Sequence, residues 1–201
     1  MDRYDPRLPR DMLPGDYPLQ LQVGAPATDS RRDLALELGD VTVQAIHRTF
    51  DIPSISHPLT ATLGSQVELL GYDLSPLIPA PSPHEGERIV APGETLTLTL
   101  YWRALAEMDE DYTVFTHLVA PDGSMTGQRD SQPVSGAYPT SLWLPGEVVS
   151  DVYEIPVRAD APSGEHRLEV GMYIAETGVR LPVSNTSDDA AFLQRIAIIG
   201  P

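Results

Sequence analysis

The residues with chemistry to offer gather between Asp111 and Val157. Tyr138 and Trp143 are aromatic, and Gln128, Arg129, Asp130 and Gln132 place planar polar side chains shortly before them. An aromatic plane stacks on the apolar face of a pyranose, and amide, guanidinium and carboxylate groups bind its hydroxyls, so this is the inventory of a glycan platform. The same residues have a structural reading, in which Trp143 and Tyr138 pin a long loop against a sheet and Asp130 bonds local amides. His117 shares a strand face with Phe115 and Val119. It joins the tentative glycan set, with the plainer role of a histidine bonded to a carboxylate such as Asp130 or Asp151.

Catalytic chemistry finds little support. A Ser-His-Asp mechanism lacks its nucleophile elbow, because no G-x-S-x-G occurs. Glycoside hydrolysis needs two carboxylates at a fixed separation, and among 29 acids some pair always looks suitable. Asp109, Asp111 and Asp122, with Glu110, offer hard oxygens to calcium, the one cofactor weighed here. The calcium-loop spacing D-x-D-x-D-G is missing, so solvated acidic turns are the plainer reading, and Ser187-Asp188-Asp189 is read the same way. Asn185-Thr186-Ser187 matches the N-glycosylation triplet. No catalytic residue is assigned.

These side chains must be held by strands. Thr95 to Trp102 alternates with a period of two, Leu96, Leu98, Leu100 and Trp102 on one face, and reads as a central strand of an antiparallel sheet. Tyr112–Val119 is stopped by Pro121-Asp122-Gly123, and Val148–Val157 resumes after a long connection dense in Pro, Gly and polar residues. Further strands are expected at Tyr17–Val23, Leu34–Leu38, Val41–Val43, Val67–Tyr72, His166–Tyr173, Val179–Val183 and Leu193–Ile199. Residues 104–110 have the composition of one helical turn. The segments 1–16 and Pro76–Gly86 read as irregular, Ser184–Asp189 as a polar loop, and 51–60 as a linker. Short strands every 8–12 residues with Pro and Gly at the joints specify an all-β, antiparallel β-sandwich, immunoglobulin-like or jelly-roll-like.

Composition agrees. The chain has 201 residues, 41% of them hydrophobic, with 20 Pro and 15 Gly, enough for one large β-domain and part of another. Thirteen Arg against 29 acids leave a net charge of −16, and Lys is absent. Such a surface repels phosphate backbones and anionic lipid, which argues against nucleic-acid and membrane-surface partners. Without Cys, neither a disulfide framework nor a thiolate metal site is available. No apolar run has the length of a membrane span, and the first 25 residues lack a signal-peptide core.

An internal repeat is present. Pro14-Gly15-Asp16-Tyr17-Pro18-Leu19-Gln20-Leu21-Gln22-Val23 lines up with Ser163-Gly164-Glu165-His166-Arg167-Leu168-Glu169-Val170-Gly171-Met172 at an offset of 149 positions, and Leu38–Val43 resembles Leu193–Ile198. Residues 1–50 therefore read as the last strands of a preceding copy, and 61–201 as one complete domain.

The run GETLTLTLYWRAL, DYTVFTHLVAPDG, GAYPTSLWLPGEVVSDVYEIPV and APSGEHRLEVGMYIAETGVRLPV resembles a β-sandwich module from the C-terminal extracytoplasmic region of bacterial membrane proteins. Those proteins are similar to glycosyltransferases of the dolichyl-phosphate-mannose–protein mannosyltransferase type. The likeness is dense from Leu69 to Val183, and the modules often occur in tandem. It implies an extracytoplasmic, non-catalytic accessory domain, because the family's membrane-embedded catalytic portion is not in this chain. Two functions stay open: a module contacting glycan or acceptor polypeptide through residues 128–147, or a structural spacer contacting only neighbouring repeats. Burial of Trp143 and Tyr138 would favour the spacer.

Overall fold

In the computed structural model, residues 8–10, 12–23, 34–75, 78–79, 88–184, 186 and 189–199 are described. The chain divides into two compact units, Met1–Arg48 and Thr49–Pro201. Most of the Pro76–Gly86 loop, together with residues 1–7, Asn185, Ser187 and Asp188, lies outside the described residues.

The first unit contains an antiparallel hairpin of β1 (Gly15–Val23) and β2 (Leu34–Val43). The two strands expected at 34–38 and 41–43 are one, because Gly39 carries the chain through at a bulge opposite Leu19 with φ of +127°. Leu19, Leu21, Leu36 and Leu38 are exposed, at 39, 47, 53 and 53%.

The second unit is a β-sandwich. One sheet has four strands in the order β10-β7-β4-β3: β3 (His57–Leu63), β4 (Val67–Ser75), β7 (Thr95–Ala104) and β10 (Val148–Pro156). The other runs β5-β6-β12-β11-β8-β9: β5 (Ile78–Pro79), β6 (Arg88–Val90), β8 (Tyr112–Val119), β9 (Met125–Ser131), β11 (Gly164–Ile174) and β12 (Ala191–Ile198). Among the described residues only the β6–β12 pairing is parallel. Leu96, Leu98, Leu100 and Trp102 of β7 face Val114 and Leu118 of β8 and Leu168, Val170 and Met172 of β11 across a single core. This is the inward set that period-two alternation picks out in each strand.

Four expectations need correction. Residues 51–60 are not a linker throughout: His57–Thr60 already belong to β3, and the Ser56 amide donates to Asp73 Oδ1 (2.7 Å). Residues 105–111 form bends rather than a helical turn, with the Leu105 amide bonded to the Gln66 carbonyl (2.8 Å). Val179–Val183 makes isolated bridges to Tyr173 and Leu63 instead of a strand. The connection after Val119 contains β9, whose sequence MTGQRDS shows no alternation because an edge strand needs none.

Tyr101 ties the outer face of the smaller sheet together. Its hydroxyl donates to Asp73 Oδ2 (2.7 Å), and burial, with that carboxylate, pushes the phenol up to about 12. On the neighbouring strand Gly71 is required by space as well as by backbone. Its φ is +144°, and a Cβ there would sit 2.4 Å from the His57 carbonyl oxygen and 2.7 Å from Ile55 Cγ2. Gly71→Ala is expected to destabilise the domain by at least the ~1–3 kcal/mol of an overpacked site, read from the urea midpoint. An unchanged midpoint would contradict this close approach of β3.

Candidate functional site

The connection between β9 and β10 holds the aromatic pair. Two 3-10 turns, Val134–Gly136 and Thr140–Leu142, carry the chain past the end of β8. Thr140 is fully buried; its hydroxyl donates to the Glu110 carbonyl (2.7 Å) and accepts from the Tyr112 amide (2.9 Å). The Gly146 amide donates to the Ala104 carbonyl (2.8 Å), and the Ala104 amide to the Glu147 carbonyl (3.0 Å), which joins the connection to the end of β7.

Trp143 is 0% exposed and belongs to the core cluster. Its Nε1–H donates to the Tyr138 carbonyl (3.1 Å). Tyr138 is partly buried and its ring is tilted by 43° to the indole, 6.5 Å between centroids. The pair therefore offers no coplanar exposed face. As a stacking platform Trp143 is ruled out by burial; it fills the core, and the connection is built to keep it there.

Two buried acids complete that construction. Glu147 accepts from the Tyr138 hydroxyl (2.6 Å) and the Leu144 amide (2.9 Å). Asp151, on the inward face of β10, accepts from the Tyr153 hydroxyl (2.6 Å) and the Val134 amide (2.8 Å). Val134 has φ of +54°, a left-handed conformation that a β-branched residue rarely adopts, and its bond to Asp151 holds it there. Burial pushes the Asp151 carboxyl up, against the lowering effect of those two hydrogen bonds. Burial, followed by the Asp151 charge, raises the Tyr153 phenol.

Other residues of the tentative glycan set meet on the outer face of the larger sheet. Asp130 pairs with Phe115 and Gln128 with His117 in the β8–β9 register. His117 Nε2 lies 3.7 Å from Asp130 Oδ1, the carboxylate partner expected for a structural histidine, and the Tyr173 hydroxyl donates to Asp130 Oδ2 (3.2 Å). Burial, with the Asp130 charge, raises the Tyr173 phenol. The Arg180 guanidinium sits 4.3 Å from the Phe115 ring centroid. A Cβ on Gly171 would meet that ring at 2.4 Å, so the glycine gives the ring its seat. Arg129 stands apart: it pairs with inward-facing Thr116, which places it on the opposite side of β9. Tyr173 and Arg180 escaped the sequence reading because one lies on β11 and the other in the segment after it, more than 40 residues from Asp130.

The three acids weighed for calcium do not share a site. Asp111 and Asp122 flank β8 at opposite ends, roughly 25 Å apart at the rise of an extended strand. Asp111 Oδ1 accepts from the Ser141 amide (3.3 Å), and Asp122 Oδ1 from the Ser124 amide (2.9 Å). Among the described residues no three His, Asp or Glu side chains converge on a metal-sized space, and no helix is long and apolar enough to cross a membrane.

No protein-family model matches the chain, and no curated protein sequence matches it. Among solved structures, the C-terminal domain of wzt is similar over 71% of this chain and 80% of its own length, at 14% identity and a TM-score of 0.44. The CARDB domain of the PF1109 protein from Pyrococcus furiosus, solved in complex with di-metal ions, is similar over 77% of this chain and 100% of its own, at 10% identity and a TM-score of 0.34. Likenesses this loose add nothing to the fold established by the strand pairings above.

Asp151 yields a pH prediction. Its folded pKa lies above the ordinary carboxyl value of 3.8, so folding favours the protonated acid. That contribution is full below pH 3.8 and is lost as pH rises toward the raised folded value. Asp151→Asn keeps an acceptor for Val134 and removes the titration. The variant is therefore expected to gain on the wild type as pH rises above 3.8, measured by denaturant unfolding across pH. A difference that stays constant with pH would contradict the assignment.

Proposed function

We propose that this chain is a non-catalytic accessory module of an extracytoplasmic, glycosyltransferase-like protein, and that its role is that of a spacer and interaction domain in a tandem array. One observation carries the reading. The β1–β2 hairpin has the same register as β11–β12, pair for pair. Gly15 faces Val43 as Gly164 faces Ile198, Tyr17 faces Val41 as His166 faces Ile196, and Leu21 faces Leu36 as Val170 faces Ala191. Both ladders slip at the same place, after Leu19 in one and after Leu168 in the other.

The burial of these positions differs. His166, Leu168, Val170, Leu193, Ile196 and Ile198 all lie in the core of the second unit. Of their counterparts, Leu19, Leu21 and Leu38 are exposed and Tyr17, Val41 and Val43 half-buried, and Leu36, the counterpart of buried Ala191, is exposed. An apolar sheet face of this shape fits the inner face of a sheet like β10-β7-β4-β3, which covers it in the second unit. The burial of Trp143 supports the same reading, since it removes the aromatic plane on which a sugar would stack.

A fusion tests this. A second copy of residues 49–162 joined directly to Pro14 of the whole chain would place β1–β2 where β11–β12 normally follow. The added segment is expected to fold, doubling the cooperative unfolding amplitude, and Leu19→Asp with Leu36→Asp is expected to unfold that segment alone. An added segment that stays protease-sensitive beside an intact second unit would refute the proposal.

A further inference from the structure

The structure assigns a second role to the second unit: binding of a neutral hexopyranose oligosaccharide in the groove bordered by β3, β11, β12 and the side chains of Val183, Ser184 and Thr186. This goes beyond the array reading and shares with it only the register match of the two hairpins. The groove has a volume of about 490 Å³, within the range of built small-molecule sites, roughly 300–1,000 Å³. Its wall carries Phe192, whose side chain is half-exposed on β12, and the pair Arg167 and Arg195.

These side chains are not demanded by the fold. In the matching hairpin β1–β2 the inward positions keep their apolar character, whereas the outward positions of Arg167, Phe192 and Arg195 are occupied by Pro18, Glu37 and Asp40. Arg167 and Arg195 are also direct cross-strand partners. A half-exposed phenyl ring and a facing arginine pair, absent from the sister hairpin, mark a surface shaped for contact.

The charges select the ligand class. Arg167 Nη2 donates to Glu169 Oε2 (3.0 Å) and Arg195 Nη1 to Glu165 Oε2 (2.5 Å), so the two cations are locally neutralised. A neutralised pair gives an anion little advantage, and the chain as a whole carries −16. What the groove does present is guanidinium N–H donors and the partly exposed Glu169 carboxylate side by side, with the Phe192 ring beside them. Adjacent sugar hydroxyls accept from the former and donate to the latter, while the C–H face of a pyranose covers the ring.

The test uses the whole chain, ¹⁵N-labelled, titrated with mannotriose, cellotriose and β-1,4-galactotriose. At least one is expected to give saturable amide shifts confined to Leu59–Ala61, Arg167, Glu169, Ser184, Phe192 and Arg195. Phe192→Ala and Arg195→Ala are each expected to weaken binding at least tenfold without lowering the melting temperature. Silence of all three sugars at millimolar concentration would overturn the inference. So would shifts centred elsewhere, binding that survives Phe192→Ala, or a response only to a charged oligosaccharide or an extended peptide. None of these outcomes bears on the fusion experiment, so the two proposals fail separately.

Discussion

Two carboxylates taken out of water, Glu147 and Asp151, govern how the second half of the sandwich is assembled. An ionised carboxylate buried without partners costs on the order of several kcal/mol, and each of these is answered by a tyrosine hydroxyl and a backbone amide. Those amides and Tyr138 belong to the connection, whereas Asp151 and Tyr153 belong to β10. The polar bonds thus work as clamps between an irregular segment and a regular strand. The irregular segment in turn delivers Trp143 to the core and holds Val134 at a φ its side chain disfavours. Removing one acid would strand its tyrosine and amide partners in an apolar interior and free the connection.

The two hairpins separate what the fold requires from what it tolerates. Where β1–β2 and β11–β12 agree, they agree in inward apolar character, in the glycine that opens the first strand and in the place of the bulge. These are the features that seat a twisted pair of strands against a facing sheet. Apart from His166 in the inward place of Tyr17, the changes of chemical character lie at outward positions, and there the second hairpin carries an aromatic ring and a pair of arginines. An outward position free of packing constraint is where a scaffold takes up binding without altering its core.

Much of the scaffold was legible because period-two alternation is a local signal. β7, β8 and β11 were placed within a few residues of their observed bounds, and the inward set of β7 is the one observed. What escaped depends on long-range partners. β9 is polar along its length, and its pairing with β8 is set by the Pro121–Gly123 turn and by burial of Thr126 rather than by any pattern of its own. Trp143 has the same composition around it whether it is a platform or a core residue, and the acids that decide the matter act from the end of the connection and from β10. Phe192 lies just before the expected strand Leu193–Ile199, and its partner across the ladder, Glu169, shows that it faces out.

Burial of Trp143 is the claim on which the reading of the connection stands. Trp102→Phe leaves Trp143 as the sole indole, and its emission in the folded chain measures that environment directly. The structure requires blue-shifted emission resistant to acrylamide, moving to the red only when the domain unfolds. Red-shifted, readily quenched emission from the native protein would contradict it, returning Trp143 to the surface and the connection to a ligand-contacting role.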